Sequence, residues 1–299
     1  MTASDPTADS GKQLRATLIG GIAVLLWALL ALFTTWAAGI PPFQLLSLSF
    51  AVAFAVSFAV VLFKGGRLSV LSQPLGAWTL GVAGLFGYHF FYFLALGNAP
   101  AVDASLIAYL WPLLIVVFSA LLPGERLRWF HLCGALMGLA GAALLVTEGG
   151  SLSFDARYAL GYLAALAGAL TWSIYSVANR RFDGVPSDVV MGFCGVVAIL
   201  GALCHFVFET TVIPSAGQWG AVVLLGLGPV GAAFFVWDYG TKHGKIQVLG
   251  AFAYAAPLLS TLILVAFGQA RASWEVWAAC LLIVGGALLA SKEMLRSRG

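Results

Sequence analysis

The residues best suited to recognise a small molecule in this sequence are aromatic and polar side chains inside long apolar stretches. Polar groups are costly in an apolar environment and usually face protein or water there, so their clustering indicates a cavity. An aromatic, weakly charged cavity binds an apolar side chain by ring stacking and by burial of surface. The candidate binding residues are Tyr88, His89, Tyr92, Tyr109, Trp111, Trp172, Tyr175, Trp237 and Tyr254.

Patterns for catalysis or metal binding are missing from the sequence. It contains no HExxH, Walker or GxSxG motif, and no pair of carboxylates deep in facing apolar segments. Its four cysteines show no CxxC spacing, which favours a packing role. The segment GLGPVG (226–231) fits GxGxxG but lies in an apolar run without the strand-turn-helix context of a dinucleotide site. We therefore expect no enzyme activity, no cofactor and no metal.

Two candidate groups could carry charge inside the apolar stretches. His89 could titrate near neutral pH and couple a proton to a transport step, but a neutral histidine bonded to a neighbour explains it equally well, so proton coupling stays open. Asp238 lies four residues before Lys242, which favours a local ion pair over a role in binding.

The elements that must position these residues are membrane-spanning helices. The chain has 299 residues, 61% of them hydrophobic and only 9% charged, against roughly 25% charged residues in soluble domains. The apolar runs are about 20 residues long and do not alternate, which selects helices over a β-barrel. They predict an all-α membrane protein with spans at 14–37, 43–63, 75–97, 100–121, 127–147, 158–180, 187–208, 216–240, 245–268 and 273–291.

The basic residues predict the orientation of the chain in the membrane. With both termini in the cytoplasm, all but two of the 15 Lys and Arg residues lie on the cytoplasmic side, as the positive-inside rule requires. The two exceptions are Arg157 and Arg271. Residues 1–13 are polar and are expected to be a disordered cytoplasmic segment. The basic residues are spread over many loops, so the sequence gives no support for nucleic acid binding.

An internal repeat relates the two halves of the chain. A shift of 145 residues (254 − 109) pairs AYLWPLL, from Ala108, with AYAAPLL, from Ala253, and also pairs Trp27 with Trp172. The units predicted are 14–147 and 158–292. Because each contains five spans, the second must enter the membrane from the opposite side, which is typical of transporters that work by alternating access. The paired Pro112 and Pro257, inside spans 4 and 9, are predicted hinges.

Several motifs resemble the EamA type of the drug/metabolite transporter superfamily. They are ATLIGGIAVLLW from Ala16, AYLWPLL from Ala108, and VWDYGTKHGKIQVLGAFAYAAPLLS from Val236. The resemblance covers nearly the whole chain. It implies a multi-pass protein of the bacterial inner membrane that exports neutral, often aromatic, amino acids from the cytoplasm without ATP, through a central cavity lined by both repeats.

Other substrates and assemblies remain open at this stage. Phosphorylated sugars would need a basic cluster in the cavity, and no Lys or Arg lies in mid-span. Lipophilic cations or drugs would need an aromatic cage with a carboxylate, for which Asp238 is the candidate. The glycines of span 5, Gly134, Gly138 and Gly141, indicate tight packing within the chain or a dimer surface, so we expect a monomer or a weak dimer.

Overall fold

The computed structural model describes residues 6–65, 68–150, 155–268, 271 and 273–292, and every regular element in them is helical. The helices are α1 (Pro6–Ala28), α2 (Leu30–Trp36), α3 (Pro42–Phe63), α4 (Leu75–Asn98), α5 (Ala101–Ala108), α6 (Trp111–Phe118), α7 (Trp129–Thr147), α8 (Ala159–Ala178), α9 (Val190–Phe208), α10 (Ala216–Leu227), α11 (Ala233–His243), α12 (Ile246–Ala253), α13 (Ala255–Ala266) and α14 (Trp274–Ala290).

These helices form nine stretches that are apolar and long enough to cross a membrane within the described ranges. The stretches overlap the first nine predicted spans. They are helical because backbone groups in lipid must form their hydrogen bonds within their own segment. The last helix, α14, overlaps the tenth and has 17 residues. The prediction of an all-helical membrane protein is confirmed for the described part of the chain.

The beginning of the chain differs from expectation. Residues 1–5 of the segment expected to be disordered lie outside the described residues, but helix α1 already begins at Pro6. A proline fits the first helical position because the missing N–H has no partner there in any helix. The first span therefore continues a longer helix.

Four of the membrane stretches contain breaks. Tyr109 and Leu110 separate α5 from α6, Tyr254 separates α12 from α13, a π-helical turn, Gly228–Ala232, joins α10 to α11, and Leu29 separates α1 from α2. The first two breaks come three residues or fewer before Pro112 and Pro257, since a proline ring clashes with the carbonyl four residues earlier. Tyr109 and Tyr254 are equivalent in the repeat, so the two halves break at the same position.

The most extensive helix contacts join one half of the chain to the other. They are α1 with α11, α3 with α9, α4 with α8, and α7 with α14. In the repeat, α1 is equivalent to α8 and α4 to α11, so exchanging the halves turns the contact of α1 with α11 into the contact of α8 with α4. The other two contacts, α3 with α9 and α7 with α14, each join equivalent helices and are unchanged by the exchange. The packing therefore has the pseudo-two-fold symmetry expected from the sequence repeat.

Two pairs of equivalent helices, α3 with α9 and α7 with α14, run antiparallel. On α3 and α9, Ser47 donates to the carbonyl of Ala198 at 2.8 Å, while Phe43, earlier in α3, bonds to Glu209 after the end of α9. On α7 and α14, Gly134 lies close to Gly286, whereas the later Gly141 lies close to the earlier Ile283.

Small residues bring the helices together. A Cβ on Gly134 would lie 2.5 Å from the carbonyl oxygen of Gly286, and one on Gly141 would lie 2.7 Å from Ile283. Gly20 and Gly240 form a similar crossing of α1 and α11. The glycines of span 5 thus pack inside the chain, as close helix contacts in membranes do.

Polar side chains tie the two halves together at both ends of the bundle. We call one end the basic end, because Arg126, Arg128, Arg180 and Lys245 lie there. Arg180 pairs at 3.1 Å with Glu125, which also accepts from Gln247 at 2.8 Å. An ion pair and a hydrogen bond therefore hold the loop of Glu125 in place.

At the opposite end, one carboxylate caps a helix. Glu209 accepts hydrogen bonds from the backbone N–H groups of Phe43 and Gln44, at 2.8 and 3.0 Å. These are first-turn groups of α3 that have no partner within the helix, and the carboxylate also matches the positive end of the helix dipole.

Candidate functional site

Four tryptophans meet at the centre of the bundle. Trp27 (α1), Trp111 (α6), Trp172 (α8) and Trp237 (α11) contact one another in all six pairings, with ring centroids 5.0 to 6.3 Å apart. We refer to them as the tryptophan cluster. Trp27 and Trp172 are equivalent in the repeat and lie 5.7 Å apart, which places the cluster where the two halves meet.

The helix irregularities help to form the cluster. Trp111 is the first residue of α6, directly after the break at Tyr109 and Leu110. The indole of Trp27 donates to the carbonyl of Pro229 at 3.1 Å, within the π-helical turn, where the normal helical bonding pattern is displaced. Trp27 was absent from the predicted site, although its pairing with Trp172 in the repeat was a signal that could have included it.

A row of polar aromatic residues on α4 borders the cluster. Tyr88 lies 5.5 Å from Trp172 and stacks on Tyr92 at 6.0 Å. The hydroxyl of Tyr92 also bonds to Ser105 at 3.1 Å. Tyr109 lies at the break between α5 and α6, two residues before Trp111 of the cluster. The structure therefore brings this predicted set together.

His89 occupies the same row and contacts the second half of the chain. Its ring lies 5.5 Å from Phe50 and 6.2 Å from Phe234, the residue that the repeat pairs with it. Its Nδ1 lies 2.7 Å from the carbonyl oxygen of Leu85. Because a carbonyl only accepts, Nδ1 carries the hydrogen and Nε2 is the remaining nitrogen for a ligand or a proton.

Tyr175 packs against the tryptophan cluster at Trp172. Its ring lies 5.3 Å from Trp172 and is pressed against Gly84, where a Cβ would come within 2.4 Å of it. The side chain is 1% exposed, and its hydroxyl has no hydrogen-bond partner among the described residues. Such a buried, unpaired hydroxyl is rare because it loses its bonds to water on burial.

Tyr254 meets the candidate site through the backbone of Tyr109. Its ring packs against Gly138 of α7, where a Cβ would lie 2.4 Å away. Its hydroxyl donates to the carbonyl of Tyr109 at 3.0 Å and accepts from the N–H of Leu113 at 3.2 Å. These two groups would bond to each other in an unbroken helix, so Tyr254 is inserted into the break before Pro112.

A buried polar group lies next to the cluster toward the basic end. Asp238 and Lys242 pair at 2.8 Å, with side chains 0% and 1% exposed. Asp238 also accepts from Asn179 at 2.9 Å and from Ser187, and Lys242 donates to the carbonyl of Val185 at 2.9 Å. The predicted ion pair is confirmed, and the structure adds that it is fully buried.

A separate cleft of about 210 Å³ opens at the basic end between α1, α7 and α12. Arg126, Arg128, His131 and Lys245 are among its lining residues. These charges follow the general excess of basic residues on one side of a membrane protein, so we assign the cleft no role in binding. In the described ranges, no group of three or more His, Cys, Asp or Glu residues could hold a metal ion.

Comparison with known proteins agrees with this architecture. The model of the EamA-like transporter family matches residues 14–147 and again 159–292. The aromatic amino acid exporter YddG of Ancylobacter novellus is 56% identical over 277 residues, which cover 92% of this chain and 96% of that protein. The Escherichia coli protein of the same name is 26% identical over 92% of this chain and 96% of its own length.

Two further relatives support the same family. A probable terminal-alkyne amino-acid exporter of Streptantibioticus cattleyicolor is 26% identical over 91% of this chain and 93% of that protein. A solved crystal structure with 55% sequence identity superimposes with a TM-score of 0.90, covering 94% of this chain and 98% of the other. With two matches to the family model and apolar helices along its length, the chain is a multi-pass membrane transporter that belongs to the EamA-like transporter family.

Proposed function

We propose that this protein exports aromatic and other neutral amino acids from the bacterial cytoplasm. The observation that carries the proposal is the tryptophan cluster, which joins both halves of a transporter at their pseudo-symmetry axis. Flat, apolar rings suit an aromatic or aliphatic side chain by stacking and by burial of surface. The relatives described as amino acid exporters support the same substrate class.

We propose ten spans in two inverted five-helix units, 14–147 and 158–292, with both termini in the cytoplasm. The antiparallel contacts of α3 with α9 and of α7 with α14 support the inversion, because equivalent helices of inverted repeats point in opposite directions. Helix α14, with 17 residues, can complete the tenth span if the bilayer thins locally. The basic end then faces the cytoplasm, in agreement with the positive-inside rule.

The mechanism we propose is alternating access, in which the two units rock about the tryptophan cluster. Toward the basic end, Trp237, Asp238 and Lys242 are at most 3% exposed. Toward the other end, His89 and Tyr92 are half-buried. This difference supports a conformation closed toward the cytoplasm. The breaks near Pro112 and Pro257 lie at equivalent positions and serve as hinges.

In this scheme the substrate contacts Tyr88, His89, Tyr92, Tyr109, Trp111, Trp172, Tyr175 and Trp237, together with Trp27. Tyr254 supports the hinge before Pro112 from within the core. His89 is the candidate for proton coupling, since its Nε2 is not used by the bond to Leu85. The protein acts as a monomer or a weak dimer, and the packing of the span 5 glycines within the chain supports the monomer.

Export of lipophilic cations is the second candidate. It requires a carboxylate beside aromatic rings, and Asp238 follows Trp237 directly. The pairing of Asp238 with Lys242 removes the net negative charge that would attract such a cation. The structure therefore favours neutral substrates over cationic ones.

The test is flux of labelled phenylalanine into liposomes that contain the purified protein, with and without a pH gradient. We expect saturable flux, competed by other neutral amino acids. Replacing Trp172 with alanine should lower it roughly tenfold or more, as for a buried tryptophan at the centre of a binding site. The control is Trp219→Ala, at a side chain 43% exposed near the start of α10, which should leave flux unchanged.

Either of two results would contradict the proposal. A well-folded protein without phenylalanine flux would refute the amino acid assignment, and equal flux in the two tryptophan variants would refute the binding site. A response to the pH gradient that disappears in His89→Gln would support proton coupling through His89.

A further inference from the structure

The tryptophan cluster lacks one thing that an amino acid needs. A zwitterion carries an ammonium and a carboxylate, and both must find partners when they leave water, because unpaired buried charges are strongly disfavoured. The rings of the cluster accommodate the side chain but offer no full charge. The charged residues nearest to the cluster in the sequence are Asp238, directly after Trp237, and Lys242, one helical turn later.

We propose that Asp238 and Lys242 are the zwitterion-binding pair of the transporter, a proposal that rests on the proposed function. When the basic end opens, the ammonium of the substrate pairs with Asp238 and its carboxylate pairs with Lys242. When that end closes without substrate, the two side chains pair with each other, as the structure shows.

The ion pair of Asp238 and Lys242 lies next to the tryptophan cluster, on the side toward the basic end. Trp237 belongs to the cluster and its indole donates to Ser176 of α8 at 3.1 Å. Three residues after Ser176, directly beyond the end of α8, Asn179 donates a hydrogen bond to the carboxylate of Asp238. The ion pair is therefore continuous with the aromatic site and lies between it and the cytoplasmic end.

A second observation at the same place points to a ligand. The hydroxyl of Tyr175 is fully buried without a hydrogen-bond partner among the described residues, and the Tyr175 ring lies 5.3 Å from Trp172, which contacts Trp237, the neighbour of Asp238. A hydroxyl can donate to a carboxylate or accept from an ammonium. An amino acid bound between the cluster and the ion pair would give this hydroxyl the partner that it lacks.

The partners of the ion pair explain how binding would be coupled to opening. Asp238 and Lys242 both belong to α11, whereas Asn179, Val185 and Ser187 belong to the end of α8 and the segment after it. Moving α11 away from that segment removes these bonds from two buried charges. The substrate restores them with an ammonium that donates and a carboxylate that accepts, so it stabilises the open form in particular.

The experiment compares three ligands that share one side chain and differ in charge. They are phenylalanine, phenethylamine, which lacks the carboxylate, and 3-phenylpropionate, which lacks the ammonium. Affinities are measured by equilibrium binding to the purified full-length protein. We expect the wild type to prefer phenylalanine over each analogue by about tenfold or more, because an analogue leaves one buried charge unpaired.

Substitutions should change the order of the three affinities. In Lys242→Met the amine should bind better than the propionate, and in Asp238→Asn the propionate should bind better than the amine. In the double variant Asp238→Asn, Lys242→Met, which leaves no unpaired charge, the preference for phenylalanine should disappear. A merely structural ion pair would lower all three affinities together and leave their ratios unchanged.

The control is Asp103→Asn, at the opposite end of the bundle. Asp103 is also a buried carboxylate, and it accepts from Tyr162 at 3.0 Å. This variant should keep the wild-type ratios. Unchanged ratios in the double variant would overturn the ion-pair proposal alone, whereas a wild type that binds none of the three ligands would overturn both it and the amino acid assignment.

Discussion

At the scale of single residues, the candidate site is a set of aromatic side chains, and most of those proposed from the sequence contact one another in the structure. The structure brings together Tyr88, His89, Tyr92, Trp111, Trp172, Tyr175 and Trp237, each of which is an aromatic residue within a membrane stretch that packs against protein. Tyr254 is also an aromatic residue within a membrane stretch, but its hydroxyl bonds to the backbone at the break before α6. Which face of a helix a residue occupies depends on neighbours that are distant in sequence, so a pattern of residue types could not separate these two cases.

The hydroxyl of Tyr254 should stabilise the protein measurably. Its removal in Tyr254→Phe leaves a buried N–H on Leu113 and a carbonyl on Tyr109 without their partner. We expect a loss of stability of about 1–3 kcal/mol, the usual cost of unsatisfied buried polar groups. Thermal unfolding in detergent, followed by circular dichroism, measures the change.

The matched control is Tyr239→Phe, whose half-buried hydroxyl makes no hydrogen bond within the described part of the chain. It should unfold at the wild-type temperature. Equal destabilisation of the two variants would show that the hydrogen bonds of Tyr254 to Tyr109 and Leu113 add nothing to the stability of the protein.

At the scale of helices, the length and continuity of apolar runs predicted the membrane stretches closely, because the thickness of the bilayer limits where each can begin and end. The prolines predicted the two equivalent breaks. The π-helical turn at Gly228–Ala232 also contains a proline, Pro229, which indicates an irregular helix but not its π-helical form. It depends on an added residue in the bonding pattern and on the bond that Trp27 makes to Pro229, which are tertiary features.

The close approach of α4 and α8 depends on a residue without a side chain. In Gly84→Ala the new Cβ would lie 2.4 Å from the Tyr175 ring, so the helices must separate. We expect a loss of about 1–3 kcal/mol in the free energy of unfolding, as for other overpacked sites. Substrate affinity should also fall, since Tyr175 supports Trp172. Thermal unfolding and equilibrium binding measure the two effects.

Gly220→Ala provides the comparison, because a Cβ at Gly220 in α10 would meet no atom within 4 Å. Alanine is favoured over glycine inside a helix, by about 1 kcal/mol. This variant should therefore be as stable as the wild type or more so. A Gly84→Ala protein of wild-type stability would mean that the contact can relax without cost.

At the scale of the whole molecule, the repeat in the sequence predicted a symmetry that the helix contacts reproduce. Paired rare residues such as Trp27 and Trp172 located the axis, because residues equivalent by symmetry can meet only near it. Sequence could not show that the second half supplies the buried Asp238 and Lys242 while the first half has Phe93 at the position equivalent to Asp238. The two halves share a backbone plan and differ in the charges that they carry.

The proposed orientation predicts which loops face the outside of the cell. In a background without native cysteines, Arg157→Cys should react with a membrane-impermeant maleimide on intact cells, because the Arg157 side chain is 79% exposed beyond the start of α8. Arg126→Cys, at the basic end, should react only after permeabilisation. The reverse pattern would place both termini outside. Labelling of both cysteines on intact cells would mean that α7, which lies between the two positions in the sequence, does not cross the membrane.

The tryptophan cluster also gives the protein an optical property. Four indoles that contact one another exchange excitation energy, so light absorbed by one of them is emitted from the whole group. Any ligand or rocking motion that separates the rings must alter the intensity and the polarisation of that emission. Four of the ten tryptophans of the chain lie in the cluster. Part of the intrinsic fluorescence therefore originates at the point about which the two halves are proposed to turn, and replacing the other six tryptophans would allow transport to be followed without attaching a dye.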